Sequence, residues 1–257
     1  AMALALPLAW ATHLWILRRQ DEDEAGLFSR FRHVATAWTL LLSIGVEAGG
    51  WLDVWLPGQD LWRWLAWIMV WLMAGIALQR ALAVDRDEWP WTAQRDRYES
   101  HVLRPIAALL LLAVAALQLA QDGGSALRYL PLASALDLAS IAALLWLARG
   151  RPQPLLPLPL TGAVGLLWVS ALAARSVHHL AGVAWSAEAM FQSTLLQATL
   201  SLTWTLAALA LMIHATRNGA RTLWFAGFAL LAAVGAKLLM IDLASAGTVE
   251  WTASLLG

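Results

Sequence analysis

The chain has 257 residues, 60% of them hydrophobic and 13% charged, with 17 basic and 17 acidic side chains, 17 tryptophans and no cysteine. Soluble domains carry about a quarter charged residues, so this composition excludes a soluble fold and describes an integral membrane protein. Zero net charge removes the basic field that nucleic-acid binding needs. The absence of thiols excludes disulfides, thiolate metal sites and a cysteine nucleophile.

The N-terminus, ALALPLAWATHLWIL followed by Arg18 and Arg19, has its positive charge behind the apolar run, the reverse of a signal peptide. A membrane-crossing helix needs roughly 20 mainly apolar residues. The sequence predicts such segments at 2–17, 33–52, 61–83, 104–121, 131–149, 158–179, 193–215 and 220–243, with a truncated ninth from 249. The expected fold is therefore all-α, a polytopic transmembrane bundle forming one domain over 1–257. Pro105 and Pro131 suit the first turns of the fourth and fifth helices, and RPQPLLPLP separates the fifth from the sixth. Starting at Ala1-Met2-Ala3 and stopping mid-run at Leu255-Leu256-Gly257, the chain reads as a C-terminal piece of a longer protein.

Orientation follows from the basic residues in alternate connections. The first, third, fifth and seventh connections hold thirteen arginines, from Arg18 to Arg221, while the second, fourth and sixth hold only Arg63, Arg128 and Arg175. That bias puts the odd connections in the cytoplasm and residue 1 outside. Within the third connection, VDRDEWPWTAQRDRYESHVLR mixes both charges with Trp89 and Trp91, which is the pattern of an amphipathic segment on the inner leaflet; a solvated linker is the plainer reading. Trp51, Trp55, Trp62, Trp64 and Trp67 form the aromatic belt expected at the outer interface.

The polar residues inside the apolar segments fall mostly on the outward side. In the WVSALAARSVHHLAGVAW hairpin, Arg175, His178 and His179 stand at i, i+3 and i+4 and share a helix face. The next segment carries Ser193, Gln197 and Ser201 at four-residue spacing, a polar stripe on an otherwise apolar helix. Lys237 shares its helix with Ala226, Ala229, Ala233 and Ala236, a small-residue face suited to tight packing. Its readings are an ion pair with Glu47, Asp137 or Asp242, a functional charge, or snorkelling to the interface. With Asp53, Asp122 and Glu250 these residues make the outward half polar, whereas the inward half offers His13, His33 and His214 near helix ends, where histidine is usually structural.

Such a set suits anion binding and acid/base chemistry. Arg175 and Lys237 are candidates to hold a phosphate or carboxylate, with Glu47, Asp137, Gln197 and Asp242 as further substrate-binding groups. His178 or His179 beside a carboxylate makes a candidate acid/base, against the plainer reading of a loop histidine that caps a helix or meets headgroups. No metal is assigned, since adjacent histidines on one helix do not aim both rings at one ion. No Walker, GxGxxG or HExxH pattern occurs, so nothing calls for a nucleotide or another cofactor.

The phrases FRHVATAWTLLLSIGVEAGGWL, RYLPLASALDLA, WVSALAARSVHHLAGVAW, SLTWTLAALALM through GARTLWFAG to KLLMIDL, and TVEWTASLLG together resemble the C-terminal part of a bacterial family of multi-pass membrane proteins known as domain of unknown function 2339. The pairing of RxxHH with KLxxxDL is the most specific part of the likeness, which covers most of the chain. The resemblance implies a bacterial inner-membrane location and further helices upstream, and it supplies no activity. The family pattern has an arginine after the glutamate of the last phrase, where Trp251 follows Glu250 here.

Three functions follow as expectations. The first is an outward polar cavity that binds or processes an anionic envelope lipid or lipid-linked glycan. The second is a transporter or flippase segment, which would want midplane polar groups on both sides. The third is a non-catalytic scaffold docking partner membrane proteins.

Overall fold

The computed structural model describes residues 2–23, 27–83, 89–120, 129–149 and 154–242, and among them there is helix but no strand. In chain order the helices are α1 (Met2–Asp23), α2 (Leu27–Trp55), α3 (Asp60–Ala83), α4 (Trp91–Tyr98), α5 (Arg104–Ala120), α6 (Ala135–Ala148), α7 (Leu158–Ala181), α8 (Ala187–Gln192), α9 (Thr194–Arg217) and α10 (Arg221–Lys237). Among the described residues, five stretches are long and apolar enough to cross a membrane: Asp60–Ala83, Gln94–Ala120, Leu158–Ala181, Thr194–Arg217 and Arg221–Met240. The expected segments at 2–17, 33–52 and 131–149 are helical too, as α1, α2 and α6, but stand outside those five, α6 having only 14 residues. The expected ninth segment lies outside the described residues.

Two boundaries differ from the sequence reading, each for a local reason. Pro131 sits in a turn, and α6 begins later at the N-cap Ser134, whose Oγ accepts from Asp137 N at 3.1 Å. Pro105 does not begin a helix: α4 passes through a π turn at Glu99–Leu103 straight into α5. A proline inside a helix removes the N–H that would reach the carbonyl four residues back, here that of His101. The Trp38 indole donates to that carbonyl instead, at 3.0 Å. The second half of the third connection is thus continuous in helix with the candidate spanning stretch Gln94–Ala120.

The residues fall into two compact units, 1–164 and 165–257. In the first unit α3, α5 and α6 share a core built on Ile68, Leu110, Val114, Ala143 and Trp146. Gly75 lies under the Trp146 ring, so close that a Cβ would stand 2.6 Å from it, and the Trp146 indole donates to Gln79 Oε1 at 2.8 Å. Gln118 Nε2 donates to Ser140 Oγ (3.0 Å), which itself donates to the Leu136 carbonyl, so a buried amide is satisfied inside the apolar layer. A smaller cluster of Leu41, Val102 and Ile106 joins α2 to α5 and the π turn before it.

In the second unit α7 ends at Gly182, whose φ of +73° lets its N–H reach the His178 carbonyl. Ser186 and Ser193 cap α8 and α9. The turn at Gly219 (φ +64°) sends the chain back as α10, with Ala220 N donating to the Ala215 carbonyl. The α9–α10 pair packs at Gly227, where a Cβ would meet Met212 Cγ at 2.7 Å and the Ala208 carbonyl at 2.9 Å. Close backbone approach through small residues is how helices associate in lipid.

Candidate functional site

The polar residues at the α7–α8 end of the second unit are set by three helices. Trp204 Nε1 donates to Ser170 Oγ at 2.8 Å, which fixes the level of α9 against α7. Five residues past Ser170 comes Arg175, completely buried, and three residues before Trp204 comes Ser201. At 1.5 Å per residue these stand roughly 7.5 Å and 4.5 Å toward the end of the unit that holds Gly182 and α8. Lys237 Nζ, from α10, donates to Ser201 Oγ (2.8 Å) and to the Gln197 carbonyl (3.1 Å). Arg175 and Lys237 therefore stand at similar levels.

Lys237 reaches α9 from the face that carries Gly227 and Val234, both buried, and not from the alanine face: Ala226, Ala229, Ala233 and Ala236 are exposed. The close contact falls at Gly227, where a Cβ would stand 2.9 Å from the Ala208 carbonyl of α9. The polar stripe on α9 divides its labour. Ser193 caps the helix, the Gln197 amide folds back to the Phe191 carbonyl (3.1 Å), and Ser201 receives the lysine.

Arg175, His178 and His179 do lie on one helix, but at three exposures: buried, half-buried and exposed. His178 Nδ1 is 2.6 Å from the Val183 carbonyl. A carbonyl only accepts, so Nδ1 carries the proton and the neutral ring's basic lone pair is on Nε2. The ring lies 4.6 Å from that of His179 and 5.7 Å from that of Trp185, which folds the loop after α7 back onto the helix end. Asp242 closes a π turn at Leu238–Asp242; its side chain, with Asp122 and Glu250, lies outside the described residues.

The first unit holds the remaining predicted residues. Asp137 is completely buried and accepts from Ser134 Oγ at 2.8 Å, in reciprocal capping at the start of α6. Glu47 is exposed on α2, and Asp53 faces Arg63, itself 2.5 Å from Asp60. Among the described residues, no three His, Asp or Glu side chains gather as a metal would require.

The sequence did not single out a polar clasp at the other end of the first unit. His33 is 1% exposed, with Nε2 2.6 Å from Asp21 Oδ2 and Nδ1 3.0 Å from the Tyr98 hydroxyl. The Trp89 indole donates to the same carboxylate oxygen at 2.8 Å. Because the carboxylate only accepts, Nε2 holds the proton and Nδ1 of the neutral ring accepts from Tyr98. His13 Nε2 likewise meets Thr36 Oγ at 3.0 Å. α1, α2 and α4 are thus joined at the end where the sequence offered only helix-end histidines. The one available signal was that the connections before α2 and before α5 each carry hydrogen-bonding side chains at a helix end, where lipid would leave them unsatisfied.

A family model of predicted membrane proteins, DUF2339, matches residues 1–257. The chain belongs to that family. With five helices of spanning length and hydropathy, it is a membrane protein by family and by build. No match is found among the curated proteins or among the solved structures.

Proposed function

We propose that this DUF2339 chain is a multi-pass protein of the bacterial inner membrane, with residue 1 outside, whose second unit binds the anionic head of an envelope lipid or lipid-linked glycan. The observation that carries this reading is the setting of Lys237. Among the described residues its partners are two neutral oxygens, the Ser201 hydroxyl and the Gln197 carbonyl, and neither cancels its charge. An ammonium has three donors, so charge and a donor remain for an anion. An ionisable group within the membrane costs roughly 2.5–3.5 kcal/mol at the bilayer centre, and an anionic ligand offsets that cost. Arg175, at similar depth, adds a second cation, and His178, with Nε2 as its base, is the group suited to proton transfer. Gln197 holds the turn that positions the lysine's acceptor.

Native mass spectrometry of the purified protein, wild type beside Lys237→Ala and His179→Ala, tests the reading. A defined anionic lipid or glycan should accompany the wild type and be lost from Lys237→Ala. Bulk phospholipid alone, unchanged by either substitution, would favour a scaffold that docks partner proteins. Orientation is tested separately in this cysteine-free chain: Ala187→Cys should react with an impermeant maleimide from outside, and Gly219→Cys should not.

A further inference from the structure

In the first unit, α2 packs on one side and stays open on the other. Its 29 residues, at 1.5 Å per residue, are more than the thickness of a bilayer core needs. Gly45 lies against the Trp67 ring, Gly49 against Arg63 Cγ, and the Trp38 indole donates to the His101 carbonyl, so this side meets α3 and the π turn. The opposite face carries Thr36, Ser43, Glu47, Gly50 and Val54 at helical spacing. Toward the start of α2 that face is covered: Thr36 is buried and meets His13 of α1 at 3.0 Å. Beyond Ser43 it is open, with Glu47 exposed, Val54 74% exposed and nothing within 4 Å of a Cβ placed on Gly50.

Glu47 says what belongs there. Around it Leu42, Ile44, Val46 and Trp51 are exposed, a surface that lipid covers. Among the described residues it has no hydrogen bond or ion pair. Trp51 and Trp55, one and two turns further along, mark the headgroup level, and the Glu47 backbone lies about 6 Å inside Trp51. Helical side chains lean toward the N-terminus of their helix, here the deeper direction, so the carboxylate does not recover that distance. An acidic group among acyl chains is costly, and within membranes such groups pair with basic ones.

The neighbours of Glu47 suit a helix as the carrier of that base. Ser43 and Gly50 are small and stand a turn to either side of it, and the Ser43 hydroxyl is already tied to the Thr39 carbonyl at 2.7 Å. Small residues beside a polar one are how membrane helices come into close contact. A second copy of this chain is a poor occupant, because a two-fold contact on this face would bring Glu47 against Glu47. A lipid ammonium would meet the charge and leave the space over Gly50 unused.

We infer that this face of α2 docks a membrane-spanning helix of a partner protein, which brings a lysine or arginine to Glu47 and packs on Ser43 and Gly50. The surface does not depend on Lys237, and either site can fail without the other. The test places the full chain, labelled at Trp55→Cys, in phosphatidylcholine vesicles and follows energy transfer to single-span peptides. The peptides are leucine–alanine helices of about 20 residues with Lys, Leu or Glu at one position two turns from an end. The Lys peptide should associate with the wild type about fivefold to tenfold more tightly than the Leu peptide, and the Glu peptide no better than Leu. That preference should vanish in Glu47→Gln, while Gly50→Leu should weaken the Lys peptide and leave the unfolding midpoint of the protein alone in place.

Equal association of the Lys and Leu peptides with the wild type overturns the inference, as does a Lys preference that survives Glu47→Gln. Undiminished binding to Gly50→Leu would show attraction of charge without packing and overturn the helix assignment. Loss of the Lys preference when phosphatidylethanolamine replaces phosphatidylcholine would name a lipid ammonium as the occupant. Self-association of the chain that Glu47→Gln abolishes would name a second copy, and either result removes the partner helix.

Discussion

The spanning stretch Gln94–Ala120 of the first unit has half of its most apolar window buried, whereas α9 and α10 of the second unit each have 11% buried. Their polar groups differ in the same sense. In the first unit side chains close on one another: Asp21 on His33 and Trp89, Gln118 on Ser140, Trp146 on Gln79. In the second they rest largely on backbone carbonyls and hydroxyls, as Lys237 does on Gln197 and Ser201 and the α9 threonines do on the preceding turn. In lipid an exposed leucine carries no penalty, so a helix pair needs only small residues and a few polar contacts to stay together. On these grounds the Gln94–Ala120 stretch and its partners form the more tightly closed part of the molecule, and α9 and α10 the more open one.

The sharpest way to break that comparison is to overfill the first unit's core. Gly75→Leu drives a side chain into the Trp146 ring, which the Gln79 bond holds in place. Overpacking costs typically about 1–3 kcal/mol, and this site, with ring and partner both fixed, belongs at about 3 kcal/mol in a denaturant titration of the micellar protein. Gly50→Leu, where nothing lies within 4 Å, is the control and should leave the midpoint in place. Equal behaviour of the two variants would remove Trp146 as the keystone of the core.

Next in size is the clasp. Deleting His33 leaves Asp21 without its imidazole in a site where the histidine is 1% and the aspartate 14% exposed. Removing one partner of a buried polar pair costs about 2–3 kcal/mol once some exposure is allowed for. His33→Ala should therefore unfold at clearly lower denaturant than His179→Ala, whose exposed ring ought to leave the midpoint unchanged. Should the two histidines prove alike, the first unit would have no claim to the tighter polar network. Ser134→Ala, which takes the cap from α6 and the hydroxyl from Asp137, should cost about 1 kcal/mol.

Much of the helical layout was legible because it rests on runs of apolar residues that outlast any local ambiguity. α3, α7 and α9 begin and end close to where hydropathy places them, and α10 begins there. Single residues misled where a tertiary partner replaced a local one. Pro105 reads as a helix start, yet the Trp38 indole, 67 residues away in sequence, takes the carbonyl that the proline leaves unpaired. The alanine face of α10 reads as a packing face, yet the close approach falls at Gly227. Of the candidate site residues, the pattern correctly put Arg175, His178 and His179 on one helix but carried no information on their graded burial. The Asp21–His33–Tyr98 clasp was illegible for a plainer reason: its members come from three segments with no fixed spacing, and only the fold brings them together.

The smallest expected effect on stability is also the one that most sharpens the contrast between the units. Lys237→Met keeps the length and apolar stem of the side chain and removes two hydrogen bonds to neutral acceptors. Polar contacts between membrane helices average about 0.6 kcal/mol each, because the separated helices also find partners. Lys237→Met should therefore shift the unfolding midpoint by about 1 kcal/mol or less, and Ser201→Ala by about half of that. If the lysine is there for an anion, this nearly silent variant will still lose the co-purified lipid. A Lys237→Met as destabilised as His33→Ala would mean instead that the charge is spent on holding α10 to α9. The second unit would then be built on the same principle as the first, and the anion site in it would have to be given up.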